Sequence, residues 1–192
     1  MRVVLATRNR HKLREFERLL RGEVEIDPLP DEIELPPETG STYAENALIK
    51  ARAASAATGS PAIADDSGVE AEALGGAPGV RSARFAGIRA SDAENLAKLR
   101  AEAPAGSALR YVCVIAHVTT EGGSETFAGT CEGTMAAEAR GVGGFGYDPV
   151  FRTAEDPLGA GRTMAELTAA EKDAISHRGR AAEGLRAWLA SR

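Results

Sequence analysis

The chain has 192 residues, enough for one domain with a sizeable core or for one domain folded as two lobes. Hydrophobic residues make up 43% of it and charged residues 27%, which excludes wholesale disorder. A formal net charge of −5 argues against a nucleic-acid-binding protein, but it allows a small anionic substrate in a local cationic pocket. Neither a signal peptide nor a membrane span is predicted, so we expect a cytoplasmic protein with no membrane partner.

The rarer residue types give two further expectations. Cys113 and Cys131 each lie in a strand-like run, and we expect reduced thiols in the core. Arginine is the default cation, so a retained lysine is a weak sign that a compact ammonium group is needed. The lysines are Lys12, Lys50, Lys98 and Lys172.

The first half of the chain predicts alternating strands and helices. A buried strand over 2–7 precedes a helix with one apolar face, which ends at Gly22, and a short strand follows at 24–26. Thr42 and Glu45 form a capping box for a long alanine-rich helix that ends near Gly59. The next strand begins at Pro61.

The second half adds a hairpin and more helices. A second capping box, Ser91 with Glu94, opens a helix to about residue 101. Strands over 109–119 and 125–137 are joined by a turn at 121–123, and the remainder is helical, with a capping box at Thr168 and Glu171 and a new start at Ser176. We therefore expect one α/β domain over residues 1–192. Its mixed central sheet is flanked by helices, with two lobes around a substrate cleft.

Two adjacent acids follow the apolar run that starts at Pro61. Asp65 and Asp66 precede Ser67 and Gly68, which predicts that the strand breaks there and leaves the acids at its carboxyl end. Neighbouring carboxylates repel and need a shared proton or a divalent cation, so the segment is a candidate metal-and-water site. The alternative is a solvated turn, which the segment alone favours.

The turn from the first strand into the first helix suits a phosphate group. A helix N-terminus supplies N–H donors and positive potential, whereas basic residues are mildly unfavourable there unless an anion binds. The alternative is a helix cap with basic residues that happen to be near it. The polar and basic residues of this turn are Thr7, Arg8, Asn9, Arg10, His11 and Lys12.

The glycine-rich segment 141–146 matches the dinucleotide-binding pattern, but we reject that match. The pattern must open a helix, whereas Pro149 follows almost at once. What remains is a loop that presents Phe145, Tyr147 and Asp148, to stack on a base and bind its edge or merely to fill the core. Near the C-terminus, His177 and Arg178 could bind a purine carbonyl or a phosphate; a solvated helix start is the alternative.

Taken together and in this order, the motifs closely resemble the inosine triphosphate pyrophosphatase family, from the first strand to the last helix. The residues that carry the resemblance are Thr7, Asn9 and Lys12; Glu38, Thr39 and Gly40; Glu45, Asn46 and Ala47; Ala64, Asp65, Asp66, Ser67 and Gly68; Gly144, Phe145, Gly146, Tyr147, Asp148 and Pro149; and Ser176, His177, Arg178 and Gly179.

The resemblance implies Mg²⁺-dependent hydrolysis of ITP, dITP or XTP to the monophosphate and pyrophosphate, by a homodimer that keeps these nucleotides out of DNA and RNA. Asp66 would activate water and contact the metal, with Glu38 as a second metal ligand, and Thr7 to Lys12 would hold the phosphates. Ser67 would touch the substrate. The nucleoside pocket would comprise Phe145, Gly146, Tyr147, Asp148, Lys172, His177 and Arg178. The alternatives are a catalytically silent nucleotide sensor and a pyrophosphohydrolase for another triphosphate.

Overall fold

The computed structural model describes residues 1–192, which form six strands and five α-helices. In chain order these are β1 Arg2–Leu5, α1 Arg10–Leu19, β2 Glu25–Pro28, α2 Tyr43–Thr58, β3 Ala62–Ala71, α3 Asp92–Glu102, β4 Ala108–Val118, β5 Ser124–Met135, β6 Phe151–Thr153, α4 Ala169–Ile175 and α5 His177–Ala190. Short 3-10 helices cover Glu72–Leu74, Gly79–Arg84 and Met164–Glu166.

The strands form one mixed sheet in the order β2-β1-β3-β4-β5-β6. Strand β1 pairs in parallel with both β2 and β3, whereas β5 and β6 are antiparallel. The predicted α/β class with a mixed, helix-flanked sheet is therefore confirmed. Strand β6 was not predicted because a three-residue strand leaves too short a pattern to recognise.

The predicted helix starts coincide with the observed ones because their signals are local. All three capping boxes form, at the starts of α2, α3 and α4. Helix α2 ends at Gly59, whose φ of 65° places it in the left-handed region that glycine adopts without strain. The predicted hairpin also forms, with Gly122 at φ 88° in the turn between β4 and β5.

The prediction that the strand breaks after Asp66 is wrong. Strand β3 continues through Ser67 and Gly68 to Ala71, and the two acids lie buried in its middle. The Ser82 hydroxyl accepts a hydrogen bond from the Val69 amide, so tertiary contacts support a segment that would form a turn in isolation. The solvated-turn alternative is excluded for the same reason.

The chain divides into two compact units, each with its own apolar core. Unit 1 comprises residues 1–66, 113–129 and 180–192, and unit 2 comprises residues 67–112 and 130–179. The buried, free thiols of Cys113 and Cys131 confirm the expectation of reduced core cysteines. None of the helices combines the length and the hydropathy that crossing a membrane requires. The expected cleft stays a prediction.

Unit 1 has two apolar clusters that involve different residues of β3. Ile63 packs with Phe16 of α1 and Leu185 of α5. Ala62 and Ala64 pack instead in a cluster with alanines of α2. Successive side chains of a strand point to opposite faces, so this alternation shows which helix each face of β3 meets.

Candidate functional site

The turn between β1 and α1 is organised by its own polar side chains. The Asn9 side chain caps α1 by accepting hydrogen bonds from the amides of His11 and Lys12, at 2.8 and 3.3 Å. Thr7 Oγ1 accepts from the Asn9 amide at 3.2 Å. The side chains of Arg10 and His11 are exposed, and α1 has no acid in its first turn. The turn is therefore a rigid, positively charged helix start.

Arg8 contacts the neighbouring loop of the same unit. Its guanidinium donates to four backbone carbonyl oxygens, at distances from 2.6 to 3.2 Å. These acceptors are the carbonyls of Leu29, Pro30, Asp31 and Ile33. These contacts hold the two terminal nitrogens of the guanidinium on the loop, and the assignment of Arg8 to the phosphates stays a prediction.

The two adjacent acids of β3 have different partners. Asp65 forms an ion pair with Lys12, with Nζ and Oδ2 2.9 Å apart, and Cys113 Sγ lies 3.8 Å from the same oxygen. Asp66 accepts a hydrogen bond from Asn46 Nδ2 at 3.0 Å. One acid is therefore neutralised by a lysine, whereas the other is held by a neutral amide.

The amide of Asn46 is oriented by the loop before α2. The Gly40 amide donates to Asn46 Oδ1 at 2.8 Å, which turns the Nδ2 group toward Asp66. A side chain at residue 40 would approach Asn46 Oδ1 and Glu45 Cβ to within 2.8 and 2.6 Å. Glycine is thus required at residue 40 because the loop passes so close to α2.

Lys50 and Glu38 complete the charges around Asp66. Lys50 is 8% exposed and donates to Glu38 Oε1 at 2.6 Å. Burial lowers the pKa of Lys50, but the charges of Asp65, Glu38 and Asp66 raise it above its ordinary value overall. Burial is the main cause of the raised pKa of Asp66; Glu38 adds to it, and Lys50 opposes it. A carboxylate with a raised pKa is a better proton acceptor, as a general base requires.

In unit 2, the Asp148 carboxylate connects the glycine-rich loop that contains Phe145 to α4. Its Oδ2 accepts from the Phe145 amide at 2.9 Å and from Lys172 Nζ at 2.6 Å. Its Oδ1 accepts from the Tyr111 hydroxyl at 3.1 Å. A side chain on Gly144, whose φ is 68°, would lie 2.0 Å from Asp148 Oδ2, so this loop conformation requires glycine.

The aromatic residues of the loop divide between two environments. The Phe145 ring is partly exposed and makes cation–π contacts with two side chains. Lys172 Nζ lies 5.0 Å and Arg178 Cζ 5.7 Å from the ring centroid. Tyr147 belongs to the core, and its hydroxyl donates to the carbonyl of Ser82 at 2.7 Å. The adjacent Gly146 amide donates to Asp92 Oδ2 at 3.1 Å. Phe145 is thus the aromatic side chain of this loop that retains exposed surface.

The start of α5 is buried, which excludes the solvated helix start considered above. Arg178 is 1% exposed, and its Nη2 donates to Ser67 Oγ at 2.9 Å. The ring of His177 stacks on Tyr111. A side chain on Gly179 would lie 1.9 Å from the carbonyl oxygen of Asp173, so glycine allows α5 to start against α4.

Comparison with known proteins assigns the chain to a family. The sequence model of the Ham1 family matches residues 3–188. The chain belongs to the Ham1 family. The resemblance to the inosine triphosphate pyrophosphatases is thereby confirmed, since relatives of this Ham1 protein are named dITP/XTP pyrophosphatase. A protein of Symbiobacterium thermophilum with that name is 51% identical, covering 94% of this chain and 90% of its own length. One of Frankia alni is 49% identical, with 98% and 97% covered.

Solved structures of the family agree with the fold of this Ham1 protein. A HAM1 protein from Coxiella burnetii superposes with a TM-score of 0.86 at 44% identity and full coverage of both chains. A protein from Mycobacterium abscessus, described as a nucleoside-triphosphatase and dITP/XTP pyrophosphatase, gives 0.74 at 44% identity, with 96% of this chain and 98% of that chain covered.

Sequence reasoning missed three residues that contact the candidate site residues, two in unit 1 and one in unit 2. The scarcity of lysines pointed to Lys50 only in general terms. Asn46 belongs to a recognised motif, but nothing in the sequence shows that its amide reaches Asp66. Tyr111 lies in an ordinary strand pattern and gave no signal. Each of the three contacts a residue that is distant in sequence. Lys50 is 12 residues from Glu38, Asn46 is 20 residues from Asp66, and Tyr111 is 37 residues from Asp148.

Proposed function

We propose that this Ham1 protein hydrolyses dITP, XTP and ITP to the monophosphate and pyrophosphate. The observation that carries the proposal is the buried carboxylate of Asp66, whose pKa is raised. Asn46 holds it, while Glu38 and Lys50 contribute to its electrostatic environment. The names of the relatives support the choice of substrate. Removal of these nucleotides from the cytoplasmic pool would keep them out of DNA and RNA.

In the proposed reaction, Asp66 takes the proton of the attacking water. The water oxygen bonds to the first phosphorus, the bond from that phosphorus to the oxygen shared with the second phosphate breaks, and the electron pair leaves with pyrophosphate. Lys12 and Arg10 supply positive charge for the phosphates, the His11 side chain can donate a hydrogen bond to them, and Lys50 stabilises negative charge near Asp66. Thr7 and Asn9 contribute by shaping the turn, and Arg8 fastens it to the loop at 29–33.

We propose that a magnesium ion binds near Asp66, although no group of three acids, histidines or cysteines is arranged to hold a metal ion in this structure. Glu38, Asp65 and Asp66 supply three carboxylates, against the two ammonium groups of Lys12 and Lys50. A net negative cluster of oxygen donors attracts a hard divalent cation, and an anionic triphosphate increases that need. We propose that Asp66 and Glu38 hold Mg²⁺, which when bound spreads the negative charge of the phosphates.

We propose that the residues around Phe145 bind the nucleoside. Phe145 offers a partly exposed ring on which a base can stack. His177 and Arg178 donate toward a 6-oxo group, whereas the 6-amino group of adenine would place donor against donor. Ser67 contacts the substrate and also accepts from Arg178. Gly146, Tyr147, Asp148 and Lys172 hold the loop that presents Phe145. The homodimer stays a prediction.

The test measures pyrophosphate released from a panel of inosine, xanthosine, adenosine, guanosine and pyrimidine triphosphates, with and without Mg²⁺. We expect dITP and XTP to give the highest kcat/KM and chelation to abolish turnover. Asp66→Asn should lower kcat by about 10²- to 10⁴-fold. Glu17→Gln, at an exposed acid of α1, is the matched control and should behave as wild type.

Other outcomes favour the alternatives. Tight binding of dITP without pyrophosphate release would identify a sensor. A higher kcat/KM for a pyrimidine triphosphate would identify a pyrophosphohydrolase for another nucleotide. Turnover by Asp66→Asn close to wild type would contradict the role given to this carboxylate.

A further inference from the structure

Tyr111 occupies the middle of a three-ring stack in unit 2. Its ring centroid lies 4.1 Å from that of Phe151 and 4.5 Å from that of His177, and the interplanar angle is 17° in both pairs. Two rings this close and nearly parallel to Tyr111 cannot share one of its faces without overlapping, so they lie on opposite faces. Tyr111 thus connects the core residue Phe151 to His177 at the start of α5.

The hydroxyl of the same residue fixes the Asp148 carboxylate. It donates to Oδ1, whereas Lys172 and the Phe145 amide donate to Oδ2. With donors on both oxygens, the carboxylate is held against rotation, and this orientation positions Lys172 and Phe145. Burial, followed by the charge of Asp148, raises the pKa of Tyr111 well above its ordinary value, so the hydroxyl remains a donor throughout the physiological range.

We propose that Tyr111 is a positioning residue for base selection: its ring sets the plane of His177, and its hydroxyl sets the carboxylate that holds Lys172 and Phe145. The proposal rests on the assignment of these residues to the nucleoside under the proposed function. Tyr111 contacts two of the groups that would surround the base. Its loss should therefore affect recognition of the base and leave phosphate chemistry unchanged.

The test is Tyr111→Phe, which keeps the ring stack and removes the hydroxyl. We expect the KM for dITP to rise about five- to tenfold, as the loss of one ordinary hydrogen bond predicts, with kcat within about twofold of wild type. The preference for dITP over dGTP, as a ratio of kcat/KM, should fall. Tyr43→Phe, at a buried tyrosine of unit 1, is the matched control and should leave both quantities unchanged.

Equilibrium binding separates this inference from the proposed function. The wild type should bind dIMP and pyrophosphate; Tyr111→Phe should weaken dIMP binding and leave pyrophosphate binding unchanged. If the wild type neither hydrolyses dITP nor binds dIMP, the proposed function fails. If it does both and Tyr111→Phe keeps the wild-type KM and dITP-to-dGTP ratio, the positioning role is wrong while the function stands. An equal fall of kcat on every substrate with no change in KM would show a purely structural role and overturn it too.

Discussion

Lys50→Met removes the buried cation of the acidic cluster while keeping most of the side-chain volume. In the native protein, the ammonium group donates to Glu38 at 2.6 Å and interacts with the charges of Asp65 and Asp66. Without it, Lys12 is the remaining lysine of the cluster, paired with Asp65. We therefore expect Lys50→Met to lower both activity and the free energy of unfolding.

The size of the stability loss follows from how the partners are buried. Removing one member of a buried ion pair costs about 3–5 kcal/mol, because the other charge loses its compensation. The Glu38 side chain is 25% exposed, so water can solvate it in part and the lower end, about 3 kcal/mol, applies. For a protein of this size that corresponds to a fall in Tm of about 6–12 °C.

The loss should also depend on pH. Lys50 opposes the raised pKa of Asp66, so its removal raises that pKa further. A carboxyl with a higher pKa in the folded than in the unfolded state loses stability as pH rises from the unfolded to the folded value. In the variant, the pH range over which this stability is lost therefore extends to higher pH. We therefore expect Lys50→Met to be closer to wild type at pH 5 than at pH 8, and the acid limb of its kcat profile to move to higher pH.

Urea denaturation at pH 5 and pH 8 measures both effects. Lys98→Met is the control, since the Lys98 side chain is 39% exposed and donates to the Phe85 carbonyl at 2.9 Å, and it should cost about 1–1.5 kcal/mol at either pH. A loss for Lys50→Met no larger than that of Lys98→Met would refute the reasoning from burial. A loss that is the same at both pH values would refute the electrostatic coupling to Asp66.

Three further predictions test other contacts. Arg8→Ala removes the hydrogen bonds to the loop at 29–33, so it should lower the free energy of unfolding by about 1–3 kcal/mol in urea and leave the KM for dITP unchanged; a raised KM would instead support Arg8 as a phosphate ligand. Gly144→Ala would drive a methyl group into the Asp148 carboxylate, so the KM for dITP should rise at least tenfold, and a wild-type KM would contradict this. A hydrogen bond from Arg162 lowers the pKa of Glu171 to about 2, so its stabilising contribution is complete above pH 4.5 and lost as pH falls toward 2. Glu171→Gln should therefore be less stable than wild type at pH 7 and equal to it near pH 2; a pH-independent difference would exclude this linkage.

The parts of the fold that sequence predicts well are those with local signals. The starts of α2, α3 and α4 follow from a hydroxyl and an acid three residues apart, and the end of α2 follows from Gly59. The path of β3 could not be predicted in this way. Its Asp-Asp-Ser-Gly segment is typical of a turn, and only contacts from distant residues, such as Ser82, keep it extended.

The candidate site likewise combines residues that local sequence motifs identify with residues that only the fold brings to them. Asp66 and Asp148 belong to recognisable motifs, but the donors that fix them, Asn46 and Tyr111, are 20 and 37 residues away in sequence. The sequence can show that an acid is placed for chemistry, whereas its pKa depends on what the fold brings to it.

The continuity of β3 explains how two adjacent acids can have different tasks. Side chains alternate along a strand, so Asp65 falls on the face of Ile63, and Asp66 falls on the face of Ala62 and Ala64. The first face meets α1, which brings Lys12 to Asp65; the second meets α2, which brings Asn46 to Asp66. Had the strand ended in a turn, both carboxylates would have been solvated and nearly equivalent. Because it does not end there, one acid is neutralised by an ion pair and the other is left with the raised pKa that a general base needs.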